Sequence, residues 1–193
     1  IRDRIVMLAN QHVGTGAVSS REAFEALLGP TAGKWDLDRP FKLVTVRPGV
    51  IKTQGISTCG LVAEGLWRQA GIAVPTHWKM YAPKTAKERA IARAMTLALE
   101  HRAVTRPGGG LRPEAGDYLC VVNAGGSEHV CTVVGWEQAG AVTYCITVDG
   151  GQTDPVKGLQ CVKKCRRIWR DKPAMLGDRK VAWWVDVEAL PLV

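Results

Sequence analysis

The sequence predicts an α+β fold, with N-terminal helices packed on a C-terminal antiparallel sheet of about five strands. Helical spacing governs the first half, where apolar residues recur at three- and four-residue intervals between glycine and proline breaks. From Asp117 onward the apolar period becomes two, and turn residues separate consecutive runs.

The elements follow in order. Residues 2–11 carry apolar side chains at 5, 6, 8 and 9, a short amphipathic helix ended by the Gly14–Gly16 stretch. Ser19-x-x-Glu22 reads as a capping box opening a helix to Gly29. Residues 30–55 hold Pro30, Gly33, Pro40, Pro48 and Gly49, so they read as loop, interrupted by an extended run from Phe41 to Val46. A helix then starts near Cys59: Ser57 and Thr58 offer capping hydroxyls, apolar residues follow at 62, 63, 66, 67 and 70, and Gly71 ends it. Thr85-x-x-Glu88 opens a further helix to about His101, and 105–116 is a Gly/Pro-rich connection. The strands expected afterwards are 118–123, 129–136, 142–149, 159–169 and 180–187.

At 193 residues the chain can bury one full core, and neither half would hold one alone. The expected organisation is a single domain over 1–193. Its core spans about 55–152, preceded by a helical and loop extension (1–54) and followed by C-terminal strands (153–193). No apolar run approaches a membrane span, so none is expected. The chain opens on Ile1 with no hydrophobic leader after it, so any export signal is expected to lie outside this sequence. A net charge of +8 suits an anionic partner, whether nucleic acid, headgroups or cell-wall polymer.

Six cysteines, at 59, 120, 131, 145, 161 and 165, mostly fall inside apolar strand patterns and read as small buried hydrophobes. Cys161-x-x-x-Cys165 lacks the CxxC or nearby histidine of a zinc site, so no metal is expected. Cys59 differs in combining a helix start with polar neighbours. A thiol there meets unpaired backbone N–H groups and the positive end of the helix dipole, both of which favour thiolate. His129 opens a strand, and a turn centred on residue 139 places it opposite Asp149 on the next. A carboxylate in that position orients an imidazole and stabilises its protonated form. On this alternation His129, Cys131 and Val133 share one face, and the Cys59 helix is expected to pack on it.

Each residue also has a plainer reading. Cys59 can be a buried helix cysteine, His129 a solvated strand-end histidine, and Asp149 a turn residue before Gly150. His12, His77 and His101 lack adjacent partners and read as surface or packing residues. Trp67, Trp136, Trp183 and Trp184 read as core or cleft wall. The run Lys163-Lys164-Cys165-Arg166-Arg167 reads as the solvated side of a strand, so nucleic acid is not an expected partner.

Ser57–Ile72, then Gly116-Asp117-Tyr118-Leu119-Cys120-Val121-Val122 and His129-Val130-Cys131-Thr132-Val133-Val134-Gly135, resemble the NlpC/P60 and CHAP group of papain-like cysteine hydrolases. The resemblance covers roughly residues 55–152. It implies a papain-like core with Cys59 as nucleophile, His129 as general base and Asp149 as orienting residue, Gln152 being the nearest alternative for that third role. It further implies an oxyanion site at the helix start formed by Thr58 and Cys59, and no cofactor. Cys131 replaces the family's usual small residue, and Ser57-Thr58 stands where an aromatic or aspartate is common, which marks a divergent branch.

The expected activity is that of a cysteine amidase or endopeptidase cleaving peptidoglycan stem peptides. Such an enzyme works in the periplasm or cell wall after secretion or delivery. If it is an antibacterial effector, an immunity protein that blocks the cleft is expected. The alternatives are a deamidase, transglutaminase-like or acyl-transfer enzyme using the same Cys–His pair, and a non-catalytic basic binding module. The insertion from Arg89 to Gly116 is expected to form part of a lid or specificity wall.

Overall fold

A computed structural model of the chain describes residues 1–29, 37, 42–47, 50–54, 57–74, 97, 98 and 101–193. In chain order the elements are α1 (Arg2–Gln11), α2 (Arg21–Leu28), β1 (Lys42–Arg47), β2 (Val50–Gln54), α3 (Cys59–Ala70), β3 (Val104–Thr105), β4 (Tyr118–Val122), β5 (Glu128–Ala139), β6 (Val142–Thr153), β7 (Gln160–Asp171), β8 (Ala174–Leu176) and β9 (Arg179–Val185). A single 3-10 turn, Val187–Ala189, follows, capped by the Asp186 side chain, which accepts from the Glu188 N–H. The extended run expected at 41–46 is the first strand of a separate β1–β2 hairpin. Most of the helix expected from Thr85 lies outside the described residues, apart from helical Leu97 and Ala98; of the segment 89–116 expected as a lid, 97, 98 and 101–116 are described.

Strands β4 to β9 form a closed antiparallel barrel rather than an open sheet. Neighbours run in the order β9-β4-β5-β6-β7-β8, and β8 pairs back onto β9 through Met175–Lys180 and Leu176–Arg179. Strand β3 adds to the outside of β9. This corrects the expectation of helices on an open, papain-like sheet. Three physical features explain closure. β5, β6 and β7 are each 12 residues long, so their right-handed twist accumulates. Bulges interrupt β4–β9, β5–β6 and β6–β7 and bend the strands further. The short β8, unseen in the sequence because three residues show no period, joins the two edges and removes them.

Alternation then sorts the core into two regions. Leu119, Val121, Cys131, Val133, Cys145, Trp169, Leu176, Val181 and Trp184 come from all six barrel strands and fill the interior with side chains. The opposite face of the strands carries the helices. Ile5 of α1 and Ala63 and Trp67 of α3 pack with Tyr118, Cys120, Val130 and Trp183. Phe24, Leu27 and Leu28 of α2 join Leu61, Val62 and Leu66 of α3 against Val148 and Val162. Helix α3 therefore lies on the face of Val130, not on that of His129, and the expected packing face is corrected accordingly.

Helix α1 is held by charge as well as packing. Arg2 donates to Asp117 Oδ1 at 2.5 Å, to Asp186 Oδ1 at 2.6 Å and to the Ala115 carbonyl at 3.1 Å. Arg68 of α3 donates to the Leu27 and Leu28 carbonyls, closing the C-terminal end of α2, while its other nitrogen meets Glu64 at 2.6 Å. The capping box expected at Ser19 and Glu22 does not form: the Ser19 hydroxyl donates to the Gly14 carbonyl instead, and Ser20 takes the N-cap position.

Candidate active site

The start of α3 is pinned to the barrel by groups that would otherwise cap it. The Gly151 N–H donates to Thr58 Oγ1 at 3.0 Å, and the Thr58 N–H donates to Gln160 Oε1 at 2.8 Å. Thr58 thus ties α3 to β6, and Gln160 ties it to β7. The approach is close enough to exclude side chains from β6. A Cβ on Gly150 would lie 2.5 Å from Val62 side-chain atoms, and one on Gly151, whose φ is +65°, would run into Ser57 Oγ. Thr58 and Cys59, expected to form an oxyanion site, stand together at this helix start. The Thr58 N–H is already spent on Gln160, leaving the Cys59 N–H, which makes a long 3.4 Å contact with Ser57 Oγ.

Cys59 opens α3 with no exposed surface. The charges of its side chain and of the His129 imidazole favour one another, so the two groups are coupled. On the other side of the ring, His129 Nε2 lies 2.6 Å from Asp149 Oδ2. Asp149 is ionised and can only accept, so Nε2 carries the proton and Nδ1 is the basic nitrogen left for the thiol. The structure brings Cys59, His129 and Asp149 into one chain of contacts. Gln152 lies farther along β6, past the bulge and opposite Cys161.

A bulge decides which β6 residue meets His129. The β5–β6 hairpin turns at Gly140–Ala141, with Ala139 opposite Val142 and Trp136 opposite Cys145, so a turn centred on residue 139 is not what forms. Continued unchanged, that register sets residue 152 opposite 129 and puts Asp149 on the other face. Val134 is inserted as an extra residue, after which Val133 faces Thr147 and Thr132 faces Val148. The ladder then points 129 toward 151, and 149 becomes its diagonal neighbour on the same face, within reach of both side chains. The sequence expectation reached the right pair through the wrong register, because a slip of two residues preserves the face.

His129 occupies the first interior position of β5, at the end of the barrel where β5 and β6 are no longer paired. This explains how an interior-facing imidazole reaches a thiol on a helix packed outside. The ring is largely covered, with 12% of its side chain exposed.

Asp149 is wholly buried and accepts more than one ligand. Thr147 Oγ1 donates to Oδ1 at 2.5 Å, and the Arg167 guanidinium forks onto both oxygens, Nη1 to Oδ1 at 3.2 Å and Nη2 to Oδ2 at 2.8 Å. Arg167 Nη1 also donates to Thr147 Oγ1 at 2.7 Å. Thr147 and Arg167 were not anticipated from the sequence, nor was Gln160. Dense charge at 163–167 masks the alternation that puts Cys165, Arg167 and Trp169 on one face of β7. Lys164 and Arg166 do lie on the outer face, where Arg166 pairs with Glu137 and covers the Tyr144 ring.

The electrostatics follow from these contacts. Burial opposes the imidazolium, but hydrogen bonds to Asp149 and Cys59 and their negative charges outweigh it and raise His129 to about 9. Burial also opposes ionisation of Asp149, yet His129 and Arg167 hold it well below the usual carboxylate range. The remaining interior thiols behave differently. Burial, reinforced by the Asp149 charge, pushes Cys145 up to about 12 and Cys165 up to about 11, and carries Cys131 well above its ordinary value. All three stay protonated and inert near neutral pH. All six cysteines are free of disulfides.

Among the described residues no cluster of His, Cys, Asp and Glu is arranged around a metal position, and no helix is long and apolar enough to cross a membrane. No protein-family model, no curated protein and no solved structure matches the chain.

Proposed function

We propose that the protein is a cysteine hydrolase that cleaves amide bonds through an acyl-enzyme. The reading is carried by the sequence Cys59–His129–Asp149: a thiol at a helix start coupled to an imidazole whose Nε2 lies 2.6 Å from a buried carboxylate. Nδ1 of His129 already holds the thiol proton in the resting ion pair, and the Cys59 thiolate attacks the amide carbonyl carbon. The Cys59 backbone N–H at the first turn of α3 faces the developing oxyanion. His129 then gives its proton to the leaving amine, and water, deprotonated by the same nitrogen, releases the acid and restores the ion pair.

The substrate class we favour is the stem peptide of peptidoglycan. Two features support it: the residue pattern shared with wall-cleaving cysteine hydrolases, and a charge of +8 suited to an anionic wall polymer. Because the barrel replaces the open sheet which that resemblance implied, the reading rests on the site pattern rather than on the fold. An immunity protein covering the α3 end of the barrel is part of the same proposal if the enzyme is a delivered effector.

Incubating purified sacculi with the protein and counting new amino groups tests it. Wild type should release peptide fragments by mass spectrometry, and Cys59→Ala should release none. A Cys59→Ala protein that still digests sacculi overturns the reading. If wild type leaves sacculi intact but deamidates or cross-links protein glutamine, the substrate is wrong and the alternative acyl-transfer chemistry takes its place.

A further inference from the structure

Asp149 is held from two sides inside the barrel: His129 takes one oxygen, and Arg167 forks across both. We propose that Arg167 is a positioning residue of this site, cancelling the Asp149 charge so that the imidazolium of His129 is matched by the Cys59 thiolate. The inference rests on the hydrolase reading above and adds to it a residue on a third strand.

Charge balance in a covered site gives the reason. With Arg167 present, carboxylate and guanidinium neutralise each other, and the proton on His129 is balanced only by a thiolate. Without Arg167 the buried carboxylate would itself balance the imidazolium. His129 would then draw its proton from solvent, and Cys59 would remain a thiol. The other groups facing Asp149 cannot substitute for the guanidinium. Thr147 is neutral, Cys131, Cys145 and Cys165 are thiols held protonated by burial, and Lys163, opposite Asp149 on β7, makes no hydrogen bond or ion pair with it. Arg167 is also fixed in place: Nη1 is shared between Asp149 and Thr147, so the planar fork sets the carboxylate plane as well as its charge.

The test is a titration of the intact protein, followed by ring-nitrogen NMR of His129 and by ultraviolet absorbance of the thiolate. With four histidines in the chain, the His129 signals are assignable by a His129→Gln control. In Arg167→Gln both the formation of thiolate and the loss of the imidazolium proton should move upward by roughly one pH unit or more, since a fixed positive charge has been removed. Arg167→Lys keeps the charge but loses the fork, so its titrations should stay near wild type while kcat falls about tenfold or more with little change in KM. A folded Arg167→Gln protein with wild-type titrations overturns the inference. So does an Arg167→Lys protein with wild-type kcat, which also decides the matter should Arg167→Gln fail to fold. Cys59→Ser provides the separate check on the hydrolase reading, because it should lower the His129 titration point. If it does not, Cys59 and His129 are uncoupled and that reading falls, whatever Arg167 does.

Discussion

Replacing Asp149 by Asn should damage the fold and the chemistry by different amounts, and the structure fixes both. The carboxylate accepts from His129 Nε2 and Arg167 Nη2 on one oxygen, and from Thr147 Oγ1 and Arg167 Nη1 on the other. An amide keeps only one acceptor oxygen. Whichever way it turns, its NH2 faces a guanidinium N–H. The better orientation keeps the amide oxygen toward His129 and lets the Thr147 hydroxyl rotate to accept. Even so, a buried cation has lost its counter-charge, which costs about 3–5 kcal/mol of stability. Turnover should fall by about 10³–10⁴, since the imidazolium loses its carboxylate. Urea unfolding followed by the fluorescence of the seven tryptophans measures the first quantity, and amine release from sacculi under folding conditions measures the second. Adding Arg167→Met to Asp149→Asn removes the stranded guanidinium and should recover most of the stability but none of the rate. An Asp149→Asn protein within about 1 kcal/mol and tenfold of wild type would refute the reasoning, because such small effects belong to a solvated carboxylate.

Two further outcomes follow from the charged groups. The titration point of His129 is raised in the folded state, so its contribution to stability is complete below about pH 6.5 and is lost as pH rises through about 9. Denaturation midpoints should therefore fall across that window in wild type, and the fall should shrink in His129→Gln; equal slopes would contradict it. Arg2→Ala should strand the buried Asp117, whose titration point burial already pushes up to about 6 against the pull of Arg2. The loss should be about 3–5 kcal/mol at pH 8 and smaller at pH 5, where the carboxyl takes up a proton instead. Thermal melts at the two pH values measure it, and a pH-independent loss would show that Arg2 acts through packing alone.

Much of this molecule could be read from local pattern. Apolar spacing located α1 and α3, the Ser19-x-x-Glu22 pattern placed α2, and Gly71 ends α3 in the left-handed conformation expected of a terminal glycine. Period-two alternation located β4, β5, β6, β7 and β9 within a few residues. These signals are local because helix and strand periods are properties of the backbone itself. The Cys59 helix start was legible for the same reason. Capping was not: the hydroxyls of Ser19 and Thr58 had partners elsewhere in the fold, and the sequence cannot show which partner a short polar side chain will take.

Sequence alone determined α1, α2 and α3, five of the six barrel strands, and the pairing of a helix-start cysteine with a strand histidine and aspartate. Tertiary structure decided how they meet. Closure depends on twist and bulges summed over strands far apart in the chain, and on a three-residue strand with no period to read. The choice of Asp149 over Gln152 depends on one inserted residue, Val134, which shifts the β5–β6 ladder by a single position. Arg167 entered the interior because alternation on β7 overrode its charge, and a buried carboxylate was there to receive it. Period sets which face a side chain takes, but only long-range register sets what it faces.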